Sequence, residues 1–195
     1  MRLRGKEVMT EQFNLPGWKD KALYTPGPLI TSPTVKQAML RDLGSRDGAF
    51  IQVVREIRDA LVGLATPRGG EYEAIIMQGS GTYAVETVLT SGVPPEGHVL
   101  ILVNGAYGKR MAQICSTAGI RWTGLEFPEN QVVDPQAVKA TLASDDSITH
   151  VAVVHCETTT GLINPIETIG NVVKEAERIY FVDAMSSFGA EPTDF

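Results

Sequence analysis

Residues 179–188 read Ile-Tyr-Phe-Val-Asp-Ala-Met-Ser-Ser-Phe. Apolar side chains run almost unbroken up to Asp183, after which small and hydroxylated residues take over. A strand inside a parallel sheet is covered on both faces and reads as a near-continuous apolar run, and open α/β sheets place their ligand crevice beyond the carboxyl ends of such strands. Asp183 is therefore the first functional candidate. A carboxylate at this place also suits a plain turn cap, and this residue alone does not choose between the two.

Working outward from that strand, the chain alternates. Going backwards from Ile179, the pattern predicts a helix over 166–177, with Ile166, Ile169, Val173 and Ala176 on one face, a polar turn over 156–164, and a strand over 148–155. Before these lie a short helix after Pro135, a loop with Pro128 and Asn130, and a strand over 121–126. Earlier still come a helix over 109–118, the turn Asn104-Gly105-Ala106-Tyr107-Gly108 and a strand over 99–103. A helix over 83–90, the turn Gln78-Gly79-Ser80-Gly81-Thr82 and a strand over 74–77 open the series. Repeated strand–turn–helix units define an α/β fold: a mainly parallel sheet with helices on both faces.

Upstream, Phe50, Val53, Val54, Ile57, Leu61 and Leu64 recur at spacings of three and four, which predicts an amphipathic helix with one face on the core. Another helix is expected to start with Pro33 in its first turn and to end near Gly44. Residues 1–22 are polar and aperiodic and read as an arm outside the core, with residues 23–195 forming the domain. No internal repeat or low-complexity segment is present.

The chain of 195 residues is 43% apolar and carries 23 acidic against 17 basic residues, a net charge of −6. Such a composition supports a buried core, and the absence of a basic run argues against nucleic acid as a partner. Two separated cysteines, Cys115 and Cys156, suggest neither a disulfide framework nor a metal cluster. With no apolar run of membrane-spanning length and no export signal, the expectation is a cytoplasmic protein.

The chemistry is carried by the strand exits. Residues 78–82 lead from a strand into a helix, so their amides and the hydroxyls of Ser80 and Thr82 face outward at a helix amino terminus, a geometry that holds an anion such as a phosphate. Neither the Gly-Lys-Ser/Thr of a phosphate loop nor the third glycine of a dinucleotide fingerprint follows. A tight glycine turn capped by Thr82 is the plainer reading. Tyr107 sits between two glycines, where it either stacks on a planar ligand or covers the sheet edge. In His155-Cys156-Glu157-Thr158-Thr159-Thr160 the threonines offer hydroxyls. Neighbouring residues in a strand point to opposite faces, so His155 and Cys156 do not form a nucleophilic pair. His98 and His150 begin strands, at the wrong end of the sheet, and read as satisfied surface or turn residues. An anion cradle, an aromatic plate, hydroxyl donors and a carboxylate together match pyridoxal 5'-phosphate, whose phosphate, ring, phenolic oxygen and pyridine nitrogen want one each.

At these same residues the chain resembles the fold-type I, class V pyridoxal-phosphate aminotransferases, and among them the 2-aminoethylphosphonate:pyruvate transaminases. The stretches that carry the resemblance are YTPGPL (24–29), TVKQAML (34–40), QGSGTYAVE (78–86), NGAYGKR (104–110), HVAVVHCETTTGLINP (150–165) and VDAMSSFGA (182–190). What it implies is transfer of the amino group of 2-aminoethylphosphonate to pyruvate, giving phosphonoacetaldehyde and L-alanine, in a homodimer. Alanine:glyoxylate or serine:pyruvate transamination is the alternative, and a non-catalytic remnant of the fold a further one. By the same resemblance Ser80, Gly81 and Thr82 hold the cofactor phosphate, Tyr107 stacks on the ring, Thr158 bonds near the phenolic oxygen and Asp183 pairs with the pyridine nitrogen. The loop Thr25, Pro26, Gly27 and Pro28 is expected near the substrate and the dimer interface. The family's Schiff-base lysine lies beyond the aspartate, after a further strand, and a small carboxy-terminal domain supplies a substrate-binding arginine; this sequence stops at Phe195 before either. None of Lys6, Lys19, Lys21, Lys36, Lys109, Lys139 and Lys174 stands in the lysine's place, so the chain alone is expected to be inactive.

Overall fold

A computed structural model describes residues 21–25 and 29–192. Its centre is a four-stranded parallel sheet of β1 (His98–Val103), β2 (Arg121–Glu126), β3 (His150–Val154) and β6 (Ile179–Asp183), in the order β2-β1-β3-β6. The register runs His98 against Arg121, Val99 against His150 and Val154 against Asp183. The chain steps outward from β1 to β2 and then returns to the other side of β1 for β3 and β6. The switch in direction falls between β1 and β3, where an open parallel sheet leaves a crevice at its carboxyl edge.

Alternation along the strands sorts the core into two layers. Leu100, Leu102, Val151 and Val153 point to one face and pack with α5 (Pro135–Ser144) and α6 (Ile166–Glu175) through Val138, Leu142, Ile169 and Val173. Val99, Ile101, Val103, Ala152 and Val154 point to the other and meet α3 (Gly81–Gly92) and α4 (Ala106–Ala118) through Val85, Leu89, Met111 and Cys115. Each fully buried aliphatic side chain stabilises the fold by about 1.5–3 kcal/mol, so these two layers outweigh any surface contact. By the same alternation Asp183, two residues beyond Phe181, lies on the α3/α4 face. Gly108 lets α4 lie close on β1: a Cβ there would stand 3.1 Å from Val103 Cα.

Several sequence expectations shift. Residues 74–77 form no strand: among the described residues no neighbour offers them a hydrogen-bonding ladder, and Ile75 is 81% exposed. The helix α1 begins at Pro33 but ends at Ala38, not near Gly44, since it buries no residue and a helix this short has no packing to prolong it. The amphipathic helix forms as α2 (Gly48–Ala65), yet its apolar face is not on the core; none of its residues is buried, and Ile57 and Leu64 are 45% and 61% exposed. It is held by Arg58, which donates to the Ala74 carbonyl at 2.7 Å and pairs with Glu73.

Nearer the sheet's carboxyl edge, α4 starts at Ala106 rather than Lys109, which puts Tyr107 inside its first turn. The stretch 156–164 is not a plain turn but a two-stranded antiparallel hairpin, β4 (Cys156–Glu157) and β5 (Leu162–Ile163). His98 and His150 do begin strands but are buried, not surface residues. His98 bonds Ser147 and Thr123 through its two ring nitrogens; His150 bonds Thr149 through Nδ1, and its Nε2 has no partner among the described residues. Burial holds the pKa of His98 below the ordinary imidazole value. Residues 1–20 and the loop residues Pro26, Gly27 and Pro28 lie outside the described residues.

Candidate active site

At the switch point the strand exits enclose a cavity of about 570 Å³. Ser80, Gly81, Thr82, Tyr107, Thr158 and Asp183 all line it, together with Arg110, Cys156, Met185 and Ser186. Four separate stretches of chain therefore meet at one hollow, each delivered by a strand exit or a helix start. Thr25 is exposed and is not among the lining residues.

One end is electropositive. Ser80 is the N-cap of α3, its Oγ accepting from Tyr83 N at 3.3 Å, which leaves the Gly81 and Thr82 amides at the helix start without an intrahelical partner. No acidic residue stands in that first turn. Gly79, at φ +147°, makes the turn into the helix; a side chain there would be strained and would meet the Tyr83 ring at 2.7 Å. Arg110 adds a full charge, donating from Nη1 to Thr82 Oγ1 at 3.1 Å, with its guanidinium carbon 5.3 Å from the Tyr107 ring centre. Helix dipole, free amides and guanidinium all favour an anion here.

Another part of the lining carries a carboxylate. Asp183 ends β6, half-buried, and accepts from Met185 N at 3.0 Å. Burial raises its pKa above the ordinary carboxylate value, and the Met185 amide partly opposes that. Within reach of the same hollow, Thr158 Oγ1 lies 2.6 Å from Ser186 Oγ. Behind it, His155 Nδ1 bonds Ser187 Oγ at 2.8 Å, and desolvation lowers the imidazole pKa. A buried amide pair joins the exits of β1 and β3 to the hairpin: Asn104 Nδ2 donates to Asn164 Oδ1 at 2.8 Å, and Asn164 Nδ2 donates to Asn104 Oδ1 at 3.1 Å and to the Val154 carbonyl at 2.8 Å.

Sequence reasoning missed two contributors. Arg110 lies one helical turn beyond Tyr107, a spacing that puts both on one face of α4; the helix start had to be placed at Ala106 to see it. Glu157 reads as one polar residue in a polar turn, yet it is fully buried, its carboxylate accepting from Gly108 N at 3.0 Å and Tyr107 N at 3.3 Å. Cys156 lines the cavity as a free thiol whose pKa burial raises, which disfavours the thiolate. Among the described residues no group of histidines, cysteines and carboxylates could hold a metal ion, and no helix is long and apolar enough to cross a membrane.

A parallel sheet with this crevice, polarised from a helix amino terminus to a carboxylate, is accompanied by a sequence match of residues 34–195 to the class-V aminotransferase family, to which the chain belongs. Within that family it is 52% identical over 172 residues to a 2-aminoethylphosphonate–pyruvate transaminase of Syntrophobacter fumaroxidans, a match covering 88% of this chain and 46% of the relative. The enzyme of the same name from Klebsiella pneumoniae is 49% identical, with 88% and 47% covered. The chain thus spans about half the length of these curated relatives. Among solved structures, pyridoxamine–pyruvate aminotransferase from Mesorhizobium loti superposes with a TM-score of 0.79 at 32% identity over 87% of this chain and 43% of that one. An alanine–glyoxylate aminotransferase from Nostoc gives 0.80 at 28% identity over 94% and 49%.

Proposed function

We propose that this chain builds the pyridoxal 5'-phosphate site of a transaminase that moves the amino group of 2-aminoethylphosphonate to pyruvate. The observation that carries the proposal is that a helix amino terminus, an arginine, an aromatic ring, hydroxyls and a carboxylate all line one cavity. A ligand that fits it has an anion at the α3 end, a flat ring in the middle and a protonatable nitrogen at the Asp183 end. Pyridoxal phosphate has that layout, and when bound it supplies the carbonyl that takes up an amino group and the ring that draws off electrons.

The residues divide the work accordingly. The Gly81 and Thr82 amides, the Ser80 and Thr82 hydroxyls and Arg110 hold the phosphate; Tyr107 covers the ring; Thr158 donates toward the phenolic oxygen. Asp183 keeps a proton on the ring nitrogen. Its burial makes the lone carboxylate costly, and a cation placed against it removes that cost, so the charge is better satisfied with the ligand than without it. Catalysis further needs a lysine amine at the carbonyl. Lys109 is engaged by Glu129 at 2.9 Å and Lys139 by Glu175 at 3.0 Å, and no lysine lines the cavity among the described residues. The chain by itself is therefore proposed to bind the cofactor without turnover, and the complete enzyme to be a cytoplasmic homodimer, with the uncovered apolar face of α2 as one surface to be buried.

The choice of 2-aminoethylphosphonate over the donors of alanine:glyoxylate or serine:pyruvate transaminases rests on the relatives near 50% identity. The test is a titration of the purified chain with pyridoxal phosphate, then borohydride reduction and peptide mass spectrometry. Saturable binding with no lysine labelled stoichiometrically supports the proposal; absence of binding, or one lysine labelled fully, contradicts it.

A further inference from the structure

The two helices flanking the cavity treat their amino termini differently. Among the described residues four helices are capped locally: Ser32, Asp47, Ser80 and Asp134 each accept from an amide of the helix they precede. The N-cap position of α4 is Gly105, which makes no side-chain cap. Its cap comes instead from Glu157, a residue on the hairpin that follows β3. Nor could position 105 hold a side chain beside it, since a Cβ there would stand 2.5 Å from both Cδ and Oε2 of Glu157.

A fully buried carboxylate is an expensive way to satisfy two amides that a serine hydroxyl could serve locally. What Glu157 adds is a connection. Its side chain grips Tyr107 N and Gly108 N, while its own carbonyl accepts Gly161 N at 2.7 Å and Thr160 N at 3.2 Å, closing the hairpin on which Thr158 sits. We propose that Glu157 is a positioning residue, whose carboxylate ties the hairpin carrying Thr158 to the helical turn carrying Tyr107 and so fixes the hydroxyl and the ring against one ligand. The ligand half of this inference rests on the pyridoxal-phosphate reading; the tie between hairpin and helix does not. A second consequence follows from the charge. Glu157 fills the amino terminus of α4 with an anion, so an incoming phosphate is left with the α3 terminus alone.

The test separates a tie from a mere cap. In Glu157→Ala the amides of Tyr107, Gly108 and Gly161 should exchange with solvent at least about tenfold faster, since their protection reports local opening. Pyridoxal phosphate and phosphate-free pyridoxal should both bind about tenfold more weakly, because the ring and hydroxyl contacts suffer rather than the phosphate cradle. Adding Gly105→Ser to Glu157→Ala places a hydroxyl in the vacated space as an ordinary N-cap. The double variant should regain the α4 protection and the melting temperature but not the Gly161 protection or the two affinities. Full recovery of Gly161 exchange with the new cap would overturn the proposal. Should Glu157→Ala fail to fold, the isosteric Glu157→Gln takes its place, with the same exchange readout: unchanged Gly161 protection there contradicts the tie. A wild-type chain that binds neither ligand would sink the cofactor reading, and the exchange result would still decide the role of Glu157.

Discussion

Helices α3 and α4 lie side by side, each entered through a glycine-rich turn at the carboxyl edge of the sheet, and their amino termini are in opposite electrostatic states. That of α4 is closed by the buried Glu157 carboxylate. That of α3 is closed only by its Ser80 hydroxyl and faces a cavity with Arg110 beside it. The same backbone feature is thus structural in one helix and available in the other. Whether a helix start binds an anion is decided by what already occupies it, and the occupant need not be near in sequence.

Making α3 resemble α4 should have the largest effect. Thr82→Asp puts a carboxylate in the first turn of α3, where it favours the helix by about 0.3–1 kcal/mol through the dipole and also pairs with Arg110. The melting temperature is expected to hold or rise, while the affinity for pyridoxal phosphate falls by at least about 100-fold, equivalent to about 2.7 kcal/mol. Unchanged affinity by calorimetry would place the anion elsewhere. A gentler version is Ser80→Ala. It removes the cap of α3, costs about 1 kcal/mol in urea unfolding, and weakens pyridoxal phosphate more than pyridoxal. Equal weakening of both ligands would mean that Ser80 does not face the phosphate.

The smallest expected effect concerns the two ends of the sheet. His98, at the amino edge, and His155, behind the cavity, both have pKa values held below 6.5 by burial. In the unfolded chain they take up protons first, so folding stability is intact above about 6.5 and is lost as pH falls through the lower folded values. Urea unfolding at pH 7.5 and 5.5 should show this loss, and His98→Gln should make it shallower. An unchanged slope would show that His98 takes its proton equally in both states.

How far the sequence could be read follows the same division between local and remote causes. The apolar runs of β1, β3 and β6 and the periodic face of α6 are local patterns that parallel burial enforces, and the sheet they imply is present. Asp183, Tyr107 and Thr158 could be placed at the cavity because each follows a strand of an open sheet, whereas Ser80 reaches it from a helix start although the strand expected before it does not form. Glu157 was not, because its partners lie 49 and 50 residues away and nothing in its neighbours shows that two amides await it. The helix α2 fails in the opposite sense. Its pattern is strongly amphipathic, yet periodicity states only that a face wants cover, and among the described residues that face is uncovered. The expected strand at 74–77 fails likewise, since β-structure needs a second strand that no local pattern can supply. Arg110 lay between, visible as soon as the true start of α4 was known.

Asp183 is the residue on which the proposed cofactor site most directly depends. Pyridoxal phosphate labelled with ¹⁵N in the ring, bound to the wild-type chain and to Asp183→Asn, gives a nitrogen chemical shift that distinguishes a protonated from a neutral pyridine. Asparagine is nearly isosteric and removes a carboxylate that burial disfavours, so the variant should fold at least as well as the wild type at neutral pH. A protonated ring nitrogen is expected in the wild-type complex and a neutral one in Asp183→Asn. A nitrogen protonated alike in both would contradict the role proposed for Asp183.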